Sequence, residues 1–182
     1  MIKFNAYLLL ENTKQKDDLI SILDLIFQDY YLSWDNNIAR IEVIDDPAFV
    51  LKLEKVNSSA FTDFNLKVSI LVVPYFDSLF IKYLKKLNNE VLTLYDIFLR
   101  NITSEETKKD SHYLISQISP ENINTIQAYL KSNGSLLKAS EELYLHRNSY
   151  LYRIKKFTEE TQIDYNDLNN LLFLKLIFSI VK

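Results

Sequence analysis

The chain has 182 residues, 48% hydrophobic and 25% charged, with a formal net charge of −3, the profile of a soluble globular chain long enough to bury a core. It has no cysteine, which excludes disulfides and thiolate chemistry and fits a cytoplasmic protein. Its one glycine, Gly134, excludes the Walker-type phosphate loop and the dinucleotide-binding turn, because both need several glycines to bring backbone amides onto phosphates.

In chain order, residues 4–10 read as a strand and 16–27 as a helix with Leu19, Ile20, Leu23 and Ile26 on one face. Residues 30–34 and 38–44 read as paired strands around a turn at Asp35-Asn36-Asn37. Alternation of Phe49, Leu51 and Leu53 with Lys52 and Glu54 predicts a further strand over 49–56, and 67–73 another, ended by Pro74. Residues 76–86 and 90–102 read as helices. The expected fold class is α+β: an N-terminal domain over 1–102 with a mostly antiparallel sheet and helices, then an all-α segment. Residues 103–118 read as a linker, because 103–111 are polar and charged without an apolar period. Residues 119–182 form the second expected domain, opened by Ser119 as a helix cap with Pro120 at the first helical position.

No targeting or spanning segment is visible. The apolar run 6–10 is too short for a signal-peptide core, and 171–181 is interrupted by Lys175 and short of the roughly 20 residues of a membrane helix. The rings (12 Tyr and 11 Phe) sit mostly at core spacing, so aromatic platforms for single-stranded nucleic acid are set aside. Two histidines without cysteine do not make the usual closed zinc site, and neither a metal nor a cofactor is expected.

The acid pairs Asp45-Asp46, Glu105-Glu106, Glu141-Glu142 and Glu159-Glu160 are neighbours in sequence, and neighbours on a helix do not face one another. They read as solvated acids, and the chain as a non-enzyme. His112 falls in the linker with no evident partner.

The informative stretch is 120–157. Ile123, Ile126 and Leu130 define a first helix, and Asn133-Gly134 gives it a left-handed exit. Ser135 caps a short second helix with Leu136, Ala139, Ser140 and Leu143 inward, and Leu145 is the apolar peg of the following turn. The third helix, about 147–157, puts Tyr150, Ile154 and Phe157 on one stripe. Its other side carries the candidate DNA contacts: His146, Arg147, Asn148, Ser149, Tyr152, Arg153, Lys155 and Lys156. Arg and Asn suit base edges, Ser and Tyr bond phosphate, and Lys neutralises the backbone.

Residues 119–182 hold 8 Lys+Arg against 7 Asp+Glu, but 147–156 contain no acid at all. Three short helices with this face are the layout of a helix-turn-helix reader of duplex DNA. A polar outer face on a hairpin that only binds protein is the competing reading.

Residues 121–182 resemble the C-terminal helix-turn-helix domain of the PucR/CdaR group of bacterial transcription regulators, itself similar to the Fis-type hairpin. The resemblance rests on Asn133-Gly134-Ser135-Leu136, Leu143-Tyr144-Leu145, His146-Arg147-Asn148-Ser149, Tyr152-Arg153-Ile154 and Thr161-Gln162-Ile163-Asp164. It implies a regulator that binds duplex DNA, a cytoplasmic homodimer with no membrane partner. It also implies a first domain of sensory or cyclase-like descent, with 65–70 as one of its strands. The chain departs from the family pattern at Leu151, where many members carry Arg, and at Tyr150, Ser140 and Gln162, where Leu, Ala and Gly are common. The apolar last helix is expected to close the hairpin core with one face and to offer another for pairing.

Overall fold

Alternating apolar residues along β1 (Lys3–Leu10) send Ala6, Leu8 and Leu10 to one face, where all three are fully buried. In the computed structural model, which describes residues 3–181, this strand is the middle of a five-stranded sheet. The other strands are β2 (Tyr31–Asp35), β3 (Ile38–Ile44), β4 (Val68–Val73) and β5 (Val91–Thr93). They lie in the order β2-β3-β1-β4-β5. The pairings β2–β3, β1–β3 and β1–β4 are antiparallel, and β4–β5 is parallel. The fold class is therefore α+β, as read from the sequence.

Between the strands run α1 (Lys16–Ile26) and α2 (Phe49–Phe64). Register places Ala6 beside Ile41 and Val72, and Leu8 beside Ala39 and Ile70, so each row is apolar on the same face. Leu19, Ile22 and Leu23 from α1, with Phe49, Leu53, Val56 and Ala60 from α2, close one core over it. The order β1-α1-β2-β3-α2-β4 on a sheet ordered 2-3-1-4 is the split βαβ arrangement. On the opposite face the Tyr7 hydroxyl donates to the Asp77 carbonyl (3.0 Å), at the N-cap of α3 (Ser78–Leu84).

Three expectations are corrected. Residues 49–56 are not a strand but the start of α2. Buried Phe49, Leu53, Val56 and Ala60 follow helical spacing, while Leu51, which completed the apparent alternation, is 64% exposed. The helix expected over 90–102 begins later, as α4 (Leu94–Arg100), with β5 before it. A capping box moves the start: Asp96 accepts from the Thr93 N–H (2.9 Å) and hydroxyl (2.6 Å), and the Thr93 hydroxyl oxygen accepts from the Asp96 N–H (3.2 Å).

The supposed linker is α5 (Glu105–Ser116). Ser104 caps it by accepting from the Thr107 N–H, and Glu105 and Glu106 sit favourably in its first turn. Its buried side is Thr107, Asp110, Ser111 and Leu114, mostly small polar residues that an apolar period does not detect. Ser111 satisfies its hydroxyl on the Thr107 carbonyl at 2.8 Å.

The chain divides into two compact units, Met1–Ile97 and Phe98–Lys182. The second holds α5 and four further helices: α6 (Pro120–Lys131), α7 (Leu136–Glu142), α8 (Arg147–Thr161) and α9 (Leu168–Ile180). Helix α9 packs on α5. Its Phe173 meets Phe98 edge-on at 5.2 Å, and among its large apolar residues only Leu168 is exposed. Leu171, Leu172 and Ile180 are partly buried.

A chain with one glycine still makes many left-handed turns. Among the described residues Asn36, Asp45, Asn65, Asn89 and Asn133 have positive φ, as do Tyr144, Gln162 and Gly134. Asparagine and aspartate tolerate this region because their short side chains bond locally. If α2 is a helix in solution, Leu53→Ala should cost about 2–5 kcal/mol, and Leu51→Ala less than about 0.5 kcal/mol. Urea unfolding of both variants measures this, and equal costs would restore the strand.

Candidate nucleic-acid interface

Helix α6 starts where Ser119 accepts from the Asn122 N–H and Pro120 occupies the first turn. It ends in a Schellman turn, with the Gly134 N–H bonded to the Tyr129 carbonyl (3.0 Å) and the Asn133 N–H to the Leu130 carbonyl (3.2 Å). Asn133 has φ +51° and Gly134 φ +79°. A Cβ on Gly134 would lie 3.5 Å from the Tyr129 hydroxyl, an ordinary contact, so backbone conformation and not space selects glycine there.

Ser135 then caps α7 by accepting from the Lys138 N–H. Helix α7 ends in the same way: the Leu145 N–H bonds the Ser140 carbonyl (2.9 Å) and the Tyr144 N–H the Glu141 carbonyl (3.1 Å). Here the left-handed residue is Tyr144, at φ +55°, and its side chain is 97% exposed. A bulky residue in that region is strained by roughly 1–2 kcal/mol.

Helix α8 begins at His146, whose Nδ1 accepts the Asn148 N–H at 3.2 Å. Histidine thus does the capping work usually given to Ser or Asp. The three helices pack mutually, α8 laying Tyr150, Ile154 and Phe157 fully buried against α6 and α7. The Tyr150 hydroxyl donates to the Thr125 carbonyl at 2.8 Å, deep in the core. Burial pushes that hydroxyl well above the ordinary tyrosine range, with Tyr129 and Glu142 adding to the shift.

With the buried stripe fixed, the opposite side of α8 faces outward. Arg147, Asn148, Ser149, Tyr152 and Lys155 are exposed, Tyr152 by 69%. Arg153 and Lys156 are half-buried, and the reason was not visible in the sequence. Glu121, in the first turn of α6, forms ion pairs with both: its carboxylate lies 3.3 Å from Arg153 Nε and 4.0 Å from Lys156 Nζ. Lys156 also lies 3.5 Å from Glu160, whose other oxygen accepts the Asn122 side-chain amide at 2.7 Å.

A shallow depression of about 410 Å³ is lined by Glu121, Asn148, Ser149, Tyr152, Arg153 and Lys156. The acid-free run 147–156 is therefore not acid-free in space. Arg147 and Lys155 have no ion pair among the described residues.

The other candidates fall elsewhere. Asp46 accepts the Ala48 N–H in the turn before α2 and pairs with Lys52 at 2.7 Å; Glu105 pairs with Lys108 and Glu142 with Lys131. His112 is exposed on α5. Among the described residues no group of three or more His, Asp or Glu is placed to hold a metal ion. No helix of the described residues is long and apolar enough to cross a membrane.

Residues 123–180, from the first turns of α6 to the end of α9, match the PucR C-terminal helix-turn-helix domain family. This segment is a PucR-type helix-turn-helix domain. The chain is 38% identical over 64 residues to the proline-responsive transcriptional activator PutR of Bacillus subtilis, a match covering 35% of the chain and 16% of that protein. It is 27% identical over 99 residues to a leucine-rich protein of Streptococcus dysgalactiae subsp. equisimilis, covering 52% of the chain and 35% of that protein. The chain thus spans about a third or less of the length of these relatives. It also aligns with the crystal structure of a regulator of polyketide synthase expression from Bifidobacterium adolescentis, at 14% identity and a TM-score of 0.44, over 100% of this chain and 81% of that one.

Two stability outcomes follow from the PucR-type domain. Tyr144→Gly relieves the left-handed strain and should stabilise it by about 1 kcal/mol in thermal unfolding; a loss of stability would contradict the strain. Tyr150→Phe should cost about 1 kcal/mol at neutral pH. Because the folded Tyr150 resists ionisation, stability is fully present below the unfolded tyrosine value of about 10 and is lost as pH rises above it. Thermal melts from pH 9 to 12 should fall less steeply for Tyr150→Phe than for the parent.

Proposed function

We propose that the chain is a bacterial transcription regulator, acting in the cytoplasm and not as an enzyme, that binds duplex DNA by placing α8 in the major groove. The observation that carries the reading is the rotation of α8: buried Tyr150, Ile154 and Phe157 turn Arg147, Asn148, Ser149 and Tyr152 outward together. In a helix-turn-helix the recognition helix contacts base edges through its N-terminal residues, and Arg147 and Asn148 occupy that end. Both side chains have the planar, bidentate chemistry that reads guanine and adenine. Ser149 and Tyr152 supply hydroxyls for phosphate, and the backbone N–H groups at the start of α8 other than that of Asn148, which His146 caps, can donate to it as well. Lys155, Lys156 and Arg153 lie further along, where backbone contacts fall.

The family match supports this reading, as does the similarity to PutR, which is named as a transcriptional activator. Two copies, with recognition helices about 34 Å apart, would meet successive major grooves. Residues 1–97 would supply the assembly or regulatory part.

A second reading has one specific observation in its favour. Glu121 and Glu160 neutralise Arg153 and Lys156, and a hairpin with so little free positive charge suits a protein partner. Salt dependence separates the two, because phosphate contacts release counterions and a polar protein interface does not do so to the same degree.

Arg147→Ala should weaken binding to duplex DNA by about 1–3 kcal/mol, roughly 5- to 150-fold, without shifting the melting temperature. Fluorescence anisotropy with a pool of genomic fragments at low ionic strength reads this. Unchanged affinity, or no salt-dependent binding by the parent protein, would overturn the proposal.

A further inference from the structure

We infer that Glu121 is an intramolecular stand-in for phosphate that sets the DNA affinity of the hairpin. The inference rests on the DNA reading above and names the residue that limits it. Glu121 is the first acid after Pro120 and would ordinarily be explained by its favourable position at the positive end of α6. That explanation does not account for where its carboxylate goes. One oxygen is 3.3 Å from Arg153 Nε and the other 4.0 Å from Lys156 Nζ, so a single carboxylate bridges two cations one turn apart on α8. This is the bonding pattern a phosphate diester would make with the same two groups.

The three side chains line one depression with Asn148, Ser149 and Tyr152, on the side of α8 turned away from the core. Glu121 has a half-exposed side chain, and Arg153 and Lys156 are 36% and 40% exposed, so solvent weakens the bridge and an incoming phosphate can displace it. Displacement leaves an unpaired carboxylate beside the phosphate, and the repulsion opposes binding. Glu160 does not play this part, because its second oxygen is committed to the Asn122 amide at 2.7 Å.

The consequence is a reader whose recognition helix shows DNA only Arg147 and Lys155 as cations free of acids among the described residues, while Arg153 and Lys156 are available at a cost. Non-specific affinity is thereby kept low, and binding becomes more dependent on what the first turn of α8 finds in the groove.

The experiment compares the full chain, Glu121→Gln and Glu105→Gln on one duplex across a salt series, with melting curves for each. Gln keeps the size and polarity of the side chain and removes its charge. Glu105→Gln makes the same change of net charge at another paired acid, on α5 outside the three-helix hairpin. Glu121→Gln should bind about two- to five-fold more tightly, with a slope of log affinity against log salt steeper by about 1. Glu105→Gln should match the parent. Arg153→Ala should then reduce affinity more in the Glu121→Gln background than in the parent, a coupling that a purely structural role of Glu121 would not produce.

Equal tightening by Glu105→Gln would reduce the effect to net charge and overturn the inference. Weaker or unchanged binding by Glu121→Gln, where the parent binds, would overturn it and leave the DNA reading standing. Binding by neither protein would overturn both.

Discussion

The hydroxyl of Tyr150, fully buried and bonded to the carbonyl of Thr125, fixes how α8 is rolled against α6. A phenol in that position cannot be left unpaired, because a buried donor without an acceptor costs about 1–3 kcal/mol, so α8 has one rotation that satisfies it. Ile154 and Phe157 follow at helical spacing and close the same interface. The make-up of the outward face depends on this roll. Turning α8 by one residue would expose Tyr150 and withdraw Asn148 or Tyr152 from the surface.

The turns on either side of α7 hold the hairpin in register. Both are Schellman closures, one made by Asn133 and Gly134 and the other by Tyr144. The second is the more demanding, since an aromatic residue occupies a backbone region that costs it roughly 1–2 kcal/mol. Strain of this kind persists only where its surroundings determine the conformation, here the crossing of α7 and α8. Most of the other left-handed positions are filled by asparagine or aspartate, which is how a chain with a single glycine makes its turns.

Much of this was legible in the sequence wherever one period dominated. Strands β1, β3 and β4 alternate or run continuously apolar, and their bounds followed directly. The three-helix segment was legible because capping residues, the left-handed exit and the buried stripe agree at each step. Besides β5, hidden within the expected helix over 90–102, two elements were missed for physical reasons. Leu51 imitated an alternating strand although it faces solvent, and the true stripe of α2 was hidden behind it. Helix α5 buries threonine, aspartate and serine, which carry no apolar signal, so only Ser104 with acids after it pointed to a helix start.

At the interface, composition showed an acid-free run along α8, and tertiary structure brought Glu121 from α6 into it. Contacts between residues 32 positions apart have no signature in a local window. The central claim is that the outward face of α8, with Glu121 at its edge, is where duplex DNA binds. Amide chemical-shift mapping of the isotopically labelled 182-residue chain titrated with a duplex at low salt tests it most directly. The account predicts perturbations concentrated at residues 146–156 and at Glu121. Shifts confined to the first unit, or none at all on saturating DNA, would contradict it.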